Sequence, residues 1–470
     1  MATAPSTRHA LARAVLIAAV LTLCGCTTLK SPPSTSDVLS RELPQAATPE
    51  AWKAAASQGV VADGWLTSFG DERLVALAQE ALRHNTDLRV AATRVDAAAA
   101  GVKAAGGSVL PEVNLIGRTG GKATGSSGQL SGALLSASWE LDLWGRLRYG
   151  QRAAQDQYAS TEADLRAARQ SLVATFAKAW FLSAEASQQK RLVSDMLANG
   201  ERLVALAEQR QRGGIGSEAE VALARGSLQN YRDTDAQIDY GLAQSRRALE
   251  MLLGRYPAAE LGLPALLAEL PPAASTGIPS ELIERRPDIV AAQRRVAAAS
   301  ARSGEAGAAK LPRLSLSAAL SSISSSTFVL KSIDNPSLGV GATAVLPIFN
   351  GGQLDAAVDL RQSEQRQAEA AFGVTVQRAF NEVEAALSAE ESLATRERIL
   401  RAGVVEQARA LTLEEQRYRV GSRDLRSVAQ QQLAATAAAM TLLRVETEQR
   451  VQRVQLHLAL GGDVLASATK

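Results

Sequence analysis

The residues best suited to chemistry sit at two short breaks in long helix-forming stretches. Arg417-Tyr418-Arg419-Val420-Gly421-Ser422-Arg423-Asp424 interrupts a proline-free run from Ile348 to the C-terminus, and Gly213-Gly214-Ile215-Gly216 interrupts another between Pro111 and Pro257. Around Gly421 a phenol, three guanidinium groups and a carboxylate stand together, a set suited to charge-assisted hydrogen bonds. Glycine belongs at such a reversal because a left-handed helix cap has no room for a Cβ. Capping alone accounts for these glycines, and small tips also let another helical hairpin approach closely. The sequence holds no nucleophile–base pair, glycine-rich phosphate loop or metal-ligand spacing, and its three histidines are well separated. The chain therefore reads as not an enzyme, with no metal and no dissociable cofactor.

Composition limits what can hold these breaks. Alanine dominates the apolar residues and aromatics are 4%, which favours long helices with narrow seams over a thick globular core. Basic and acidic residues number 51 and 48, with no basic stripe, so nucleic acid is not an expected partner. Both cysteines fall in the first 26 residues and cannot form a disulfide framework. Arg8 and Arg13 precede an apolar stretch, Ala14 to Leu23, too short to span a bilayer. Leu23-Cys24-Gly25-Cys26 then reads as a bacterial lipobox, the alternative being an ordinary secretory signal cut nearby. On the lipobox reading 1–25 is a signal peptide and Cys26 carries N-acyl and diacylglycerol groups, a stable two-signal anchor. On the same reading, Thr27 rather than an aspartate after Cys26 points, by the bacterial sorting rule, to the outer membrane. Residues 26–62 are expected to form an irregular, lipid-anchored tether rich in Pro, Ser and Thr.

The rest of the chain is duplicated. Asp87 to Pro111 and Asp288 to Pro312 superpose without a gap, matching Arg94/Arg295, Val95/Val296, Gly106/Gly307 and Leu110-Pro111/Leu311-Pro312. The repeats are placed at 63–270 and 271–470. Each runs from a helix through Leu-Pro to an extended region, at about 111–144 and 312–349, and then to a very long helical hairpin. Period-2 alternation, as in Leu314/Leu316/Ala318/Leu320, predicts two strands in each extended region, around tips at Gly120–Gly128 and Ser321–Ser326. Four strands are too few to close a barrel alone, and two surface hairpins fit the pattern equally well. From Arg146 to Arg212 and from Gly352 to Arg419 nothing breaks the helical pattern. Apolar residues at Leu192, Met196, Asn199, Leu203 and Leu206, and at Val404, Leu411 and Tyr418, mark coiled-coil seams. Rods of this length bury little per residue, so packing against other copies is expected.

Together these features resemble the TolC-like outer membrane factors, in particular the lipoprotein branch serving resistance-nodulation-division pumps. The resemblance covers nearly the whole mature chain. It rests on Trp65-Leu66-Thr67-Ser68-Phe69-Gly70-Asp71, on Leu282-Ile283-Glu284-Arg285-Arg286-Pro287-Asp288-Ile289, and on the motif order shared by both halves. It implies a mainly α protein with a β-barrel part. Three copies would pool four strands each into a twelve-stranded barrel across the outer membrane, continued by an α-helical periplasmic tunnel. The implied partners are the other copies of a homotrimer, a periplasmic adaptor, an inner-membrane proton-driven pump and outer-membrane lipid.

The same resemblance assigns the breaks to the periplasmic tip. Gly214, Ile215, Val420, Gly421 and Ser422 become adaptor-docking tips. Tyr418 and Arg423 match a gate tyrosine and arginine, and Glu220, six residues past Gly214, takes the place of an acidic partner that is usually aspartate. The family often has aspartates nine and six residues past the second tip glycine; here these are Gln430 and Ser427, so a cation-sensitive constriction is not expected. Asp424 has no counterpart in the pattern. The implied function is passive export of small molecules such as drugs through a gated outer membrane duct. A type I protein-secretion duct and a non-pore coiled-coil scaffold are the alternatives. Four methionines and three histidines do not favour a copper or silver relay.

Overall fold

The computed structural model describes residues 29–45, 49–54, 59, 61–120, 130–325 and 337–463. Cys24, Cys26, the signal segment, the expected hairpin tip after Gly120, and Ser326 lie outside the described residues. In chain order the elements are helix α1 (Thr35–Glu42), a 3-10 turn (Trp65–Phe69), α2 (Glu72–His84), α3 (Thr86–Gly107), β1 (Glu112–Gly120), β2 (Leu130–Leu141), α4 (Arg146–Arg212) and α5 (Glu218–Leu252). The second repeat follows with α6 (Pro279–Arg285), α7 (Pro287–Ala308), β3 (Arg313–Ser325), β4 (Ser337–Val345), α8 (Gln353–Arg419) and α9 (Leu425–Ala459). α4 and α8 each run 67 residues, about 100 Å at the helical rise, and α5 and α9 each run 35. Equal lengths in the two halves are the structural form of the duplication.

The chain divides into two compact units, and each draws on both repeats. The first gathers 29–45, Arg94–Glu162 and Ala291–Val374. It holds an antiparallel sheet in the order β1-β2-β3-β4, with Glu112 opposite Ser138, Leu141 opposite Leu314 and Arg313 opposite Val345. The central β2–β3 pairing joins the repeats, leaving β1 and β4 as free edges. Trp144 Nε1 donates to the Pro312 carbonyl at 2.7 Å, tying the turn after β2 to the Leu-Pro step of the other half. The expected irregular tether is partly helical. Ser34 accepts from the Asp37 N–H at 3.1 Å to cap α1, Val38 is buried, and Arg41 reaches Glu369 at 3.2 Å. Leu29 packs beside Trp144 and Tyr149, whose hydroxyl accepts from the Lys30 N–H at 2.8 Å.

The second unit holds the main apolar core, where Trp65, Leu66, Phe69, Leu74, Phe176, Trp180, Phe181, Leu249 and Val454 are buried together. The opening motif works here through Asp71. Its carboxylate caps α2 by accepting from the Leu74 N–H at 2.9 Å and also accepts from Trp180 Nε1 at 2.8 Å. Along α4 the expected seam residues are half-buried or buried, but the line at Val193, Gly200 and Ala207, seven apart, is buried throughout. Gly200 is fixed by contact, since a Cβ there would stand 3.0 Å from the ring of Tyr231.

Candidate functional site

Both long helices end in the same cap. After α4 the Ile215 N–H donates to Arg210 O and the Gly214 N–H to Gln211 O, each at 3.0 Å. After α8 the Ser422 N–H donates to Arg417 O at 2.9 Å and the Gly421 N–H to Tyr418 O at 3.0 Å. These are Schellman pairs, satisfying carbonyls that the helix end orphans. Gly214 and Gly421 lie at φ 73° and 79°, and a Cβ on either would meet nothing within 4 Å. The left-handed backbone, not crowding, selects glycine at both.

The returning helices are capped as deliberately. Ser217 Oγ accepts from the Glu220 N–H at 3.2 Å while Glu220 Oε2 accepts from the Ser217 N–H at 3.3 Å, a capping box. Asp424 Oδ1 accepts from the Ser427 N–H at 2.9 Å and from its hydroxyl at 2.7 Å, and these bonds hold the Asp424 carboxyl below the usual aspartate range. Asp424, unplaced in the sequence pattern, is thus the N-cap of α9. An acid directly before a helical run is a readable start signal.

The sequence-assigned residues separate into two groups. Ile215 and Val420 are 69% and 79% exposed at the ends of the reversals, with Gly214, Gly421 and Ser422 also exposed. Tyr418, in contrast, is 1% exposed, packed with Ala207, Val221, Ala224, Leu425 and Val428 from both hairpins. Burial, reinforced by the Glu220 carboxylate and opposed by Arg210, pushes its phenol above the ordinary tyrosine value. Its hydroxyl has no hydrogen-bond partner among the described residues. Within this chain Glu220 closes its capping box, and Arg423 lies 3.6 Å from Glu414 rather than on Glu220. Gln430 is exposed. A side chain that joins the two hairpins at their reversals is Arg210, which the sequence pattern did not single out. Its guanidinium lies 4.8 Å over the Tyr418 ring and donates to Tyr418 O and Ile215 O, each at 3.3 Å. Its position four residues before Gly214, matched by Arg417 before Gly421, was the available signal.

Among the described residues no group of His, Cys, Asp or Glu is arranged to hold a metal ion, and no helix is long and apolar enough to cross a membrane. Tandem helical hairpins with matched glycine reversals, carrying one sheet with two free edges, define a class of duplicated hairpin-and-sheet proteins. The chain belongs to the outer membrane efflux protein family, whose model matches residues 77–255 and 278–462, one segment in each repeat. It is 32% identical to the pyoverdine export outer membrane protein OpmQ of Pseudomonas putida, over 88% of this chain and 92% of that one. It is 31% identical to the cation efflux system protein CusC of Escherichia coli (strain K12), over 85% and 88%. The crystal structure of the open state of the Neisseria gonorrhoeae MtrE outer membrane channel is similar at TM-score 0.79, with 26% identity over 93% of this chain and 99% of that one.

Proposed function

We propose that this protein is the passive outer membrane exit duct of a tripartite efflux system, working as a homotrimer. The observation that carries this reading is the sheet. It has four strands, two free edges and exposed apolar residues such as Leu115, Leu338 and Val340, the last 81% exposed. Free edges and exposed apolar residues of this kind invite further pairing, and pooling three copies into a barrel removes the edges and gives the apolar residues a lipid partner. The hairpins then continue as a tunnel through the periplasm, with the reversals at its closed end. Lipidation at Cys26 would add an anchor in the same membrane.

In this reading Tyr418, Arg423, Glu220 and Gln430 form the gate, with Glu220 meeting Arg423 between neighbouring copies. Gly214, Ile215, Val420, Gly421 and Ser422 receive the periplasmic adaptor. An inner-membrane, proton-driven pump supplies the energy. Specificity for small-molecule cargo lies with that pump, because relatives of nearly equal identity are named for cargoes as different as pyoverdine and cations.

The test is conductance in planar bilayers. Glu220→Ala and Arg423→Ala should each raise open-state occupancy about two- to fivefold, the amount expected from losing one exposed ion pair. Unchanged single-channel behaviour in both variants would remove the gate assignment.

A further inference from the structure

We infer that Arg210 is the strut that locks the two helical hairpins of one copy together at their reversals, and that it must release Tyr418 for the duct to open. This rests on the gate reading above. One side chain touches both caps. Nη2 donates to the carbonyl of Ile215 in the first reversal, and Nη1 donates to the carbonyl of Tyr418, which also accepts the Gly421 N–H of the second. The first reversal is folded tightly onto Arg210 itself, whose own carbonyl accepts from the Ile215 and Gly216 N–H groups at 3.0 and 3.1 Å. Gly216 is there for that reason: a Cβ would sit 2.9 Å from Gln211 N and 3.0 Å from Arg210 Cβ.

Tyr418 is held by its ring face, beneath the guanidinium, and not by its hydroxyl. Charge and planarity are both used, since a guanidinium can stack and reach two carbonyls at once. The arrangement runs one way only. Arg417, at the equivalent place in the second repeat, bonds Glu414 on its own helix at 3.0 Å. Ile215 is also 69% exposed, so a partner displacing that residue moves a carbonyl bonded to the guanidinium that covers Tyr418. Docking at the first tip is thereby coupled to the tyrosine of the second hairpin.

The experiment compares Arg210→Ala, Arg210→Lys, Tyr418→Phe, Tyr418→Leu and the Arg210→Ala/Tyr418→Leu double variant with Glu220→Ala. All are read as full-length protein in planar bilayers after heat-stable trimers are confirmed. Arg210→Ala should raise open-state occupancy on the order of tenfold, as expected for a half-buried cation–ring contact with two hydrogen bonds from a charged group. Arg210→Lys keeps the cation but reaches one carbonyl, and should recover part of the closure. Tyr418→Phe keeps the ring face and should stay closed. The double variant should leak no more than the leakier single variant, because both remove one lock. If Arg210→Ala does not assemble, Arg210→Gln carries the same test. A closed Arg210→Ala beside a leaking Glu220→Ala overturns the strut and leaves the gate standing. Equal leakage in the Ala and Lys variants, or additive leakage in the double, also overturns it. No leakage in any variant overturns the gate reading and the strut with it.

Discussion

Arg286→Ala should lower the stability of the folded chain by about 3 kcal/mol, seen as a lower thermal midpoint in detergent. The Arg286 side chain is 8% exposed and makes contacts in three directions. It donates to both oxygens of Asp288, at 3.0 and 2.8 Å, to Glu382 at 2.7 Å, and to the carbonyl of Ala459 at the end of α9 at 3.1 Å. Alanine leaves two carboxylates and a helix-end carbonyl without their donor. Breaking a fully buried pair costs about 3–5 kcal/mol, and the lower end applies because water reaches the partners. The Asp288 and Glu382 side chains are 41% and 30% exposed. Arg286→Lys, which can hold one carboxylate but not the whole set, should fall between. A midpoint in Arg286→Ala equal to wild type would show that Pro287 and the helix start carry the motif alone.

The same contact explains why the duplicated motif differs between halves. Asn85 precedes Asp87 as Arg286 precedes Asp288, and its Nδ2 donates to Leu252 O, at the end of α5, at 3.0 Å. Gly254 and Gly461, at φ 73° and 68°, follow those helix ends. A Cβ on them would strike His84 O at 2.4 Å and Arg286 N at 3.1 Å. In both repeats, then, a side chain at the start of the short helix fastens the end of the long hairpin. The repeat was legible because glycine, proline and their spacing survive duplication. The fastening was not, because amide and guanidinium perform one task with different letters.

Local grammar made the helices readable. Unbroken proline-free stretches placed α4 at Arg146–Arg212, its observed bounds, and α8 from Gly352 to Arg419, one residue before its observed start at Gln353. Heptad reading marked the seam but not its deepest line, since Gly200 and Ala207 are small and carry little hydrophobic signal, although their neighbours cover them completely. Helix α1 was hidden by its composition: Pro and Ser around it announce a tether, while the Ser34 cap needs Asp37 at the right place to be seen. The contacts of Arg210 were hidden for a different reason, although its position, shared with Arg417, could be read. The chain has 51 basic residues, and only the fold shows which of those described lies across a tyrosine ring.

A second large effect is expected from pH, through His457. Its ring is 7% exposed and stacks on Trp65 with centroids 5.4 Å apart and planes 7° from parallel. Nδ1 is buried without a hydrogen-bond partner among the described residues. Burial, with the nearby charge of Arg453, lowers its pKa from 6.5 to about 4. Arg453 cannot turn away, being held by Glu390 at 2.5 Å and by the carbonyls of Pro271 and Pro272. Above the unfolded value both states are neutral and the histidine contributes nothing to the pH dependence. As pH falls below 6.5 the unfolded chain takes up a proton that the folded chain refuses, so stability declines by up to about 1.4 kcal/mol per pH unit. The loss levels off once pH falls below the folded pKa, at about 3 kcal/mol in total. Carboxylates titrate mainly at the lower end of this window, and Glu185, whose carboxyl is raised chiefly by burial, acts in the opposite sense. The difference between wild type and His457→Phe, which keeps a stacking ring without a titratable nitrogen, isolates the histidine. Thermal midpoints of the solubilised protein between pH 7 and 5 should fall more steeply in wild type than in His457→Phe. Parallel slopes would mean that the folded state accommodates the imidazolium, with Arg453 moving aside or water reaching Nδ1.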